Sequence, residues 1–293
     1  MDSSIQTRIK NLIFKFEAKV NHAQKEDSTF TLDYENGRYR QTELVGLIRD
    51  VVPFFAFTEA EINSIDRSEW NRRSFTRISD ANRKSKGDYG ELLLFLILSI
   101  FYNVPKFVTK ARLRSTTREQ IKGFDCAHFS IDQGKVTLWL GEAKFHQNFS
   151  GAVSKALSSL KEHLEDSSRI KSELKLLGGE IEINKSLNSK EYNLLAEYVS
   201  GDKSLDKVDI AVPVLITYDS KCIKNLSNTS DADIDSAFFS KTLTSELNSN
   251  FETIYKKPWP TRKTIKIVFF VVPLECVSTL KQHIESVENA MKF

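Results

Sequence analysis

The residues of this chain whose types and spacing best fit chemistry are Asp125, Glu142 and Lys144. Two carboxylates can share a hard divalent cation through oxygen, and an ammonium can meet negative charge developing on a phosphoryl oxygen. Residue type alone says little, because Glu-x-Lys is a common triplet. The spacing says more. Asp132-Gln133-Gly134-Lys135 reads as a tight hairpin whose two-residue turn, Gln133-Gly134, uses the tolerance of glycine for positive φ. Facing residues are then Ile131 and Val136, Phe129 and Leu138, and Ala127 and Leu140. Each pair is apolar and all lie on one face, which supports the register. Two steps further along that face Asp125 falls opposite Glu142, where facing Cβ atoms are about 4.5–5.5 Å apart. Lys144 follows on the same face, since strand side chains alternate with period two.

Such a cluster is costly without a purpose. Carboxylates at that separation repel, and burial beside a core raises the cost. Mg²⁺ relieves the repulsion and keeps several waters for chemistry, and Mn²⁺ can stand in for it. The bland alternative is an ordinary strand end in which Lys144 bridges both acids. Gly123 and Gly141 flank the acids and suggest room for a ligand to approach the backbone.

Positioning these residues requires a sheet and covering helices. Residues 1–80 read as a helical N-terminal region, with Leu44, Leu47, Ile48 and Val51 at helical spacing over Gln41–Phe55 and Pro53 ending that helix. After Gly87-Asp88-Tyr89-Gly90-Glu91 comes LLLFLILSIF, apolar on all sides and suited to a helix buried against a sheet. Strands are expected at Lys106–Arg112, Phe124–Ile131 and Val136–Phe145, then a polar helix at Gly151–Leu164. Residues 165–208 read as a charged helical insertion. Strands at Ile210–Tyr218 and Ile265–Val272 bracket a helical region at Ile234–Tyr255, and a last amphipathic helix starts from Pro273. The order is α/β, with residues 81–293 as the main domain.

Composition bounds the rest. A net charge of +3 is too mild to announce a nucleic-acid binder, so any such surface must come from local clustering. Three separated cysteines, with no paired spacing, fit a reducing compartment and give no zinc site. The first residues lack the pattern of a signal peptide, and the apolar run Leu92–Phe101 is too short to span a bilayer. The expectation is a cytoplasmic protein with no membrane contact.

The pieces Gly90-Glu91, Gly123-Phe124-Asp125 and Gly141-Glu142-Ala143-Lys144, in that order and followed by a helix, resemble the PD-(D/E)XK nuclease superfamily. The resemblance implies a restriction-endonuclease-like αβββαβ core over roughly residues 85–220: a mixed sheet flanked by helices, with the helical N-terminal region and helical insertions added. The longer phrases GDYGELLLFLIL, EQIKGFDCAHF and LWLGEAKFH are similar to the HamA family, the nuclease subunit of Hachiman antiphage defence systems. That likeness implies DNA degradation and a partner helicase, HamB, that restrains or licenses the nuclease. It also implies that Asp125 and Glu142 are metal ligands with the Ala143 carbonyl as a third, that Lys144 is the catalytic lysine, and that Glu91 is a further ligand reached from its helix.

Glu91 has a second reading, as the last residue of an Asp88-Tyr89-Gly90-Glu91 capping box. His146 is close enough in sequence to serve as an acid or base, although a lone histidine after a strand is more often a loop residue, and Gln147 precedes the helix that follows. His128, on the opposite hairpin face and facing Trp139, reads as core. For a nuclease, Arg83, Lys84 and Lys86 before the Glu91 helix and Lys110, Arg112 and Arg114 after the first strand are candidate phosphate contacts, which position DNA without reading sequence. A different class of function is a catalytically silent module that binds and regulates a helicase. No glycine-rich phosphate loop, GxSxG or Cys/His dyad supports another hydrolase.

Overall fold

A computed structural model describes residues 1, 3–17, 27–79, 88–104, 106–109, 124–132, 135–164, 193–194, 196–198, 208–229, 232–260 and 265–292. In chain order its elements are α1 (Ser3–Leu12), β1 (Ile13–Glu17), β2 (Ser28–Leu32), β3 (Tyr34–Glu35), β4 (Arg38–Tyr39), α2 (Gln41–Ala56), α3 (Glu59–Ser64), a 3₁₀ turn at Arg67–Glu69, α4 (Trp70–Ser79) and α5 (Asp88–Phe101). There follow β5 (Lys106–Thr109), β6 (Cys126–Asp132), β7 (Lys135–Phe145), α6 (Phe149–Leu164), β8 (Asp209–Asp219), α7 (Lys221–Leu226), α8 (Ala237–Tyr255), β9 (Ile265–Leu274) and α9 (Val277–Met291).

Seven strands form one mixed sheet in the order β1-β2-β9-β8-β7-β6-β5. β7, β8 and β9 run parallel, as does β2 beside β9, while β6 and β5 extend the sheet antiparallel on one side and β1 does so on the other. The central strands are buried on both faces, which explains their near-continuous apolar runs AVPVLIT and IVFFVV. Helix α5 packs one face of β7. A Cβ on its Gly90 would lie 3.1 Å from that of Phe145, and the same face stacks Phe95 on His128 with ring centroids 6.1 Å apart. Helix α6 covers the other face through Ala152, Val153, Ala156 and Leu160, each fully buried.

The hairpin register expected from the sequence holds. Ile131 faces Val136, Phe129 faces Leu138, Ala127 faces Leu140 and His128 faces Trp139, although the turn residues 133 and 134 lie outside the described set. Four other expectations change. The N-terminal region is not all helical: β1 and β2 lengthen the central sheet, and β3 and β4 form a small hairpin turned by Asn36 (φ 51°) and Gly37 (φ 75°), the positive pair such a turn needs. Pro53 does not end α2. The helix absorbs it and closes only at Ala56, with the Phe57 N–H donating to the Pro53 carbonyl at 3.0 Å. Pro273 belongs to the end of β9, facing Tyr218, and the last helix begins at Val277.

The fourth change concerns Gly141. A Cβ there would sit 2.5 Å from Cys126 Sγ and 2.7 Å from Leu94 Cδ2. The glycine therefore makes room for α5 and the neighbouring strand, not for a ligand. Its counterpart Gly123 lies outside the described residues, as do Arg83, Lys84, Lys86, Lys110, Arg112, Arg114 and almost all of the 165–208 insertion. Among the described residues no helix is long and apolar enough to cross a membrane.

Candidate active site

The β6–β7 ladder ends at Cys126 facing Gly141, and the chain turns away there instead of pairing Asp125 squarely with Glu142. The Asp125 N–H donates to the Gly141 carbonyl at 2.8 Å. Its carboxylate Oδ2 then accepts the Ala143 N–H at 2.8 Å, standing in for a strand carbonyl. In a strand, a residue's N–H and C=O leave on the same side. The Ala143 carbonyl thus points toward the same edge as the Asp125 carboxylate.

Glu142 lies beside this pair on the face covered by α6, with Ser159 of that helix hydrogen-bonded to it. It is only 2% exposed. Burial first, and then the charge of Asp125, raise its carboxyl from 4.5 to about 7, against the opposing pull of Lys144. Lys144 reaches back along the strand, and its Nζ forms an ion pair with Glu142 Oε1. Its side chain keeps 18% of its surface exposed, so the ammonium stands at the border between the buried acids and solvent.

Glu91 approaches from the other side. It is buried at 3% exposure on α5, whose contacts with Gly141, Ala143 and Phe145 all fall on the face of β7 opposite to Glu142. The thiol of Cys126 feels all three acids. Burial pushes it well above the usual thiol range, and Asp125, Glu91 and Glu142 push it further. Among the described residues no group of three or more His, Cys, Asp or Glu side chains is arranged to hold a metal ion. The structure brings together Asp125, Glu142, Ala143 and Lys144, and it buries Glu91 on α5 near enough for its charge to act on the same Cys126 thiol as Asp125 and Glu142. The capping-box reading of Glu91 depends on Asp88, whose side chain lies outside the described set.

The donor chemistry still fits a hard cation. Asp125 and Glu142 supply two carboxylates and Ala143 a carbonyl oxygen, and Mg²⁺ is commonly bound through one or two carboxylates with waters and substrate completing its shell. Burial is the larger cause of the raised Glu142 carboxyl, and a cation between the two acids would remove the smaller one, the charge of Asp125.

His146, which the sequence offered as an acid or base, lies here together with side chains that the sequence did not single out. His146 follows Lys144 by two residues, and its Nε2 lies 3.4 Å from Nζ of Lys155 on α6. Lys281 of α9 places its ammonium 5.3 Å from the centre of the Phe145 ring. Ser159, Lys155 and Lys281 are 13 or more positions from the hairpin acids, so no local pattern marks them. His128 is core as expected, fully buried under Phe95. The Gln147 side chain is exposed, while its carbonyl accepts the Asp219 N–H at 2.9 Å and ties the loop to β8.

The HamA family model matches residues 8–287 of the 293 in the chain, taking in every element that builds this site. No curated protein is a significant match.

Proposed function

We propose a function on one premise: this chain belongs to the HamA family. Membership associates it with Hachiman antiphage defence. Within that setting we read the protein as a metal-dependent deoxyribonuclease of the PD-(D/E)XK type, which hydrolyses DNA phosphodiester bonds and is governed by a partner helicase. The observation that carries this reading is Glu142. A carboxylate kept 2% exposed beside a second acid, with a lysine at the solvent border, is expensive for the fold and is the arrangement phosphodiester hydrolysis uses.

Asp125 and Glu142, with the Ala143 carbonyl, would hold Mg²⁺ or Mn²⁺. When bound, that ion lowers the pKa of water to make a nucleophile near neutral pH and neutralises charge on a phosphoryl oxygen. The chain's own groups do the remaining work. The Ala143 N–H holds the Asp125 carboxylate through its Oδ2. Ser159 orients Glu142 from the opposite helix. Lys144, anchored at one end by Glu142, directs its ammonium at the phosphate, where it orients the attacking water and stabilises charge on the pentavalent transition state. The apolar floor of the hairpin excludes bulk water and strengthens each of these contacts.

The direct test is plasmid nicking in Mg²⁺ or Mn²⁺, alone and with the helicase subunit, by wild type, Glu142→Gln and Lys144→Ala. Loss of cleavage in both variants supports the reading. A catalytically silent regulator, the competing interpretation, would retain its defence phenotype in Glu142→Gln.

A further inference from the structure

β7, β8 and β9 run parallel and end together, and a crevice outside the carboxyl ends of parallel strands is where open α/β sheets take their ligands. At that edge four nitrogen groups meet from three elements. Lys144 and His146 come from the end of β7 and the residue after it. Lys155 arrives from α6 on one face of the sheet, with Nζ 3.4 Å from His146 Nε2. Lys281 arrives from α9 on the other, with Nζ 5.3 Å from the Phe145 ring centre.

None of these groups is placed by chance. Ala152, Val153 and Ala156 of α6 are fully buried and fix the helix that presents Lys155. Leu280 and Ile284 do the same for Lys281, and two turns on, Glu288 of α9 accepts the Tyr89 hydroxyl of α5 at 2.5 Å. The α6 N-terminus begins three residues after His146, so the positive end of its dipole lies at the same strand edge, with Asn148 Oδ1 accepting the Gly151 N–H at 2.7 Å. The cations also work against one another. Burial first, then Lys155, Lys281 and Lys144, hold the His146 imidazole below the usual histidine range. Burial and Lys155 likewise lower the Lys281 ammonium, with Glu285 opposing. His146 is therefore a neutral acceptor for the Lys155 ammonium. This crowding of like charges sits beside the crowding of the Asp125 and Glu142 carboxylates on the same strand end.

We propose that Lys155, in contact with His146, and Lys281, over Phe145, form a second phosphate seat that grips a DNA strand at a phosphate adjoining the one addressed by Lys144. This rests on the nuclease reading of the acidic pair, which supplies the reason for a DNA strand to lie there. Both lysines act as positioning residues: they fix where the strand lies and take no part in bond cleavage.

The test is binding of a short fluorescent duplex to the full-length protein in EDTA, across a salt series. Each phosphate contact contributes roughly 0.9 to the slope of log affinity against log salt. Lys155→Gln and Lys281→Gln should each lower the slope by about that amount and weaken binding roughly five- to tenfold near 0.1 M salt, and the double variant by about twice the slope. Lys10→Gln, on an exposed part of α1, should leave both unchanged. Wild-type slopes in Lys155→Gln and Lys281→Gln, an equal loss in Lys10→Gln, no binding by the wild type, or preference for RNA would each overturn the seat. Cleavage is scored separately with Mg²⁺. A wild type that binds with these slopes yet never nicks plasmid removes the nuclease reading and leaves the seat standing.

Discussion

Glu142 concentrates the energetic tension of the molecule. Its carboxyl is raised from 4.5 to about 7, by burial first and the Asp125 charge second. Between those values the folded chain keeps a proton that the unfolded chain has lost, so stability falls as pH rises across the window. Below about 4.5 both states are protonated and the contribution is complete; above about 7 it is gone. Metal-free protein should therefore lose up to about 3 kcal/mol through this group between pH 5 and pH 8. Glu142→Gln, which keeps the shape and removes the charge, should melt higher than wild type at pH 8, with the gap closing at pH 5. Thermal melts in EDTA measure this, and a lower melting temperature for Glu142→Gln at pH 8 would contradict it. Mg²⁺ should reverse the order, stabilising wild type by binding only the folded state and leaving Glu142→Gln nearly unmoved.

The elements around this residue were unequally legible in the sequence. The β6–β7 register could be read because a short turn and three apolar pairs fix it locally, and α6 and the apolar β8 and β9 announced themselves by period and composition. Ser28–Leu32 did not, because its serine and two threonines are buried by tertiary partners that include the distant strand β9 and Tyr102. Pro53 and Pro273 misled for a related reason. Tertiary packing holds α2 together past a proline, and Pro273 sits where its missing N–H is tolerated while its carbonyl accepts the Tyr39 hydroxyl at 3.0 Å. Lys155 and Lys281 were invisible because helices far apart in sequence bring them to one strand end. Packing also gives Gly141 its meaning. Gly141→Ala forces a methyl into Cys126 and Leu94, and should destabilise by about 1–3 kcal/mol, as overpacking does. Pairing it with Cys126→Ala should recover part of that loss. Denaturant melts of both variants measure it, and an unchanged midpoint for Gly141→Ala would refute the packing role.

For the whole molecule, the N-terminal segment is stitched into the sheet. β2 covers the edge of β9, and Asp27 accepts both the Phe269 N–H at 2.8 Å and the Tyr255 hydroxyl at 2.6 Å. Gln41 donates to the Cys276 carbonyl at 3.0 Å. Buried side chains from Ile9 to Ile284 form one continuous cluster. A chain starting at residue 81 should thus expose the β9 edge and fail to fold cooperatively. A sharp melting transition for that fragment would contradict this. All of this architecture converges on one strand end, and the central claim is that DNA is cut there. The measurement that bears on it most directly is Mg²⁺-dependent plasmid nicking, with the helicase subunit present, by wild type, Glu142→Gln and Lys144→Ala. The account predicts nicking by wild type and a loss of at least about a hundredfold in each variant, the scale seen when a single charge-stabilising group is removed. Equal nicking by all three proteins would contradict it.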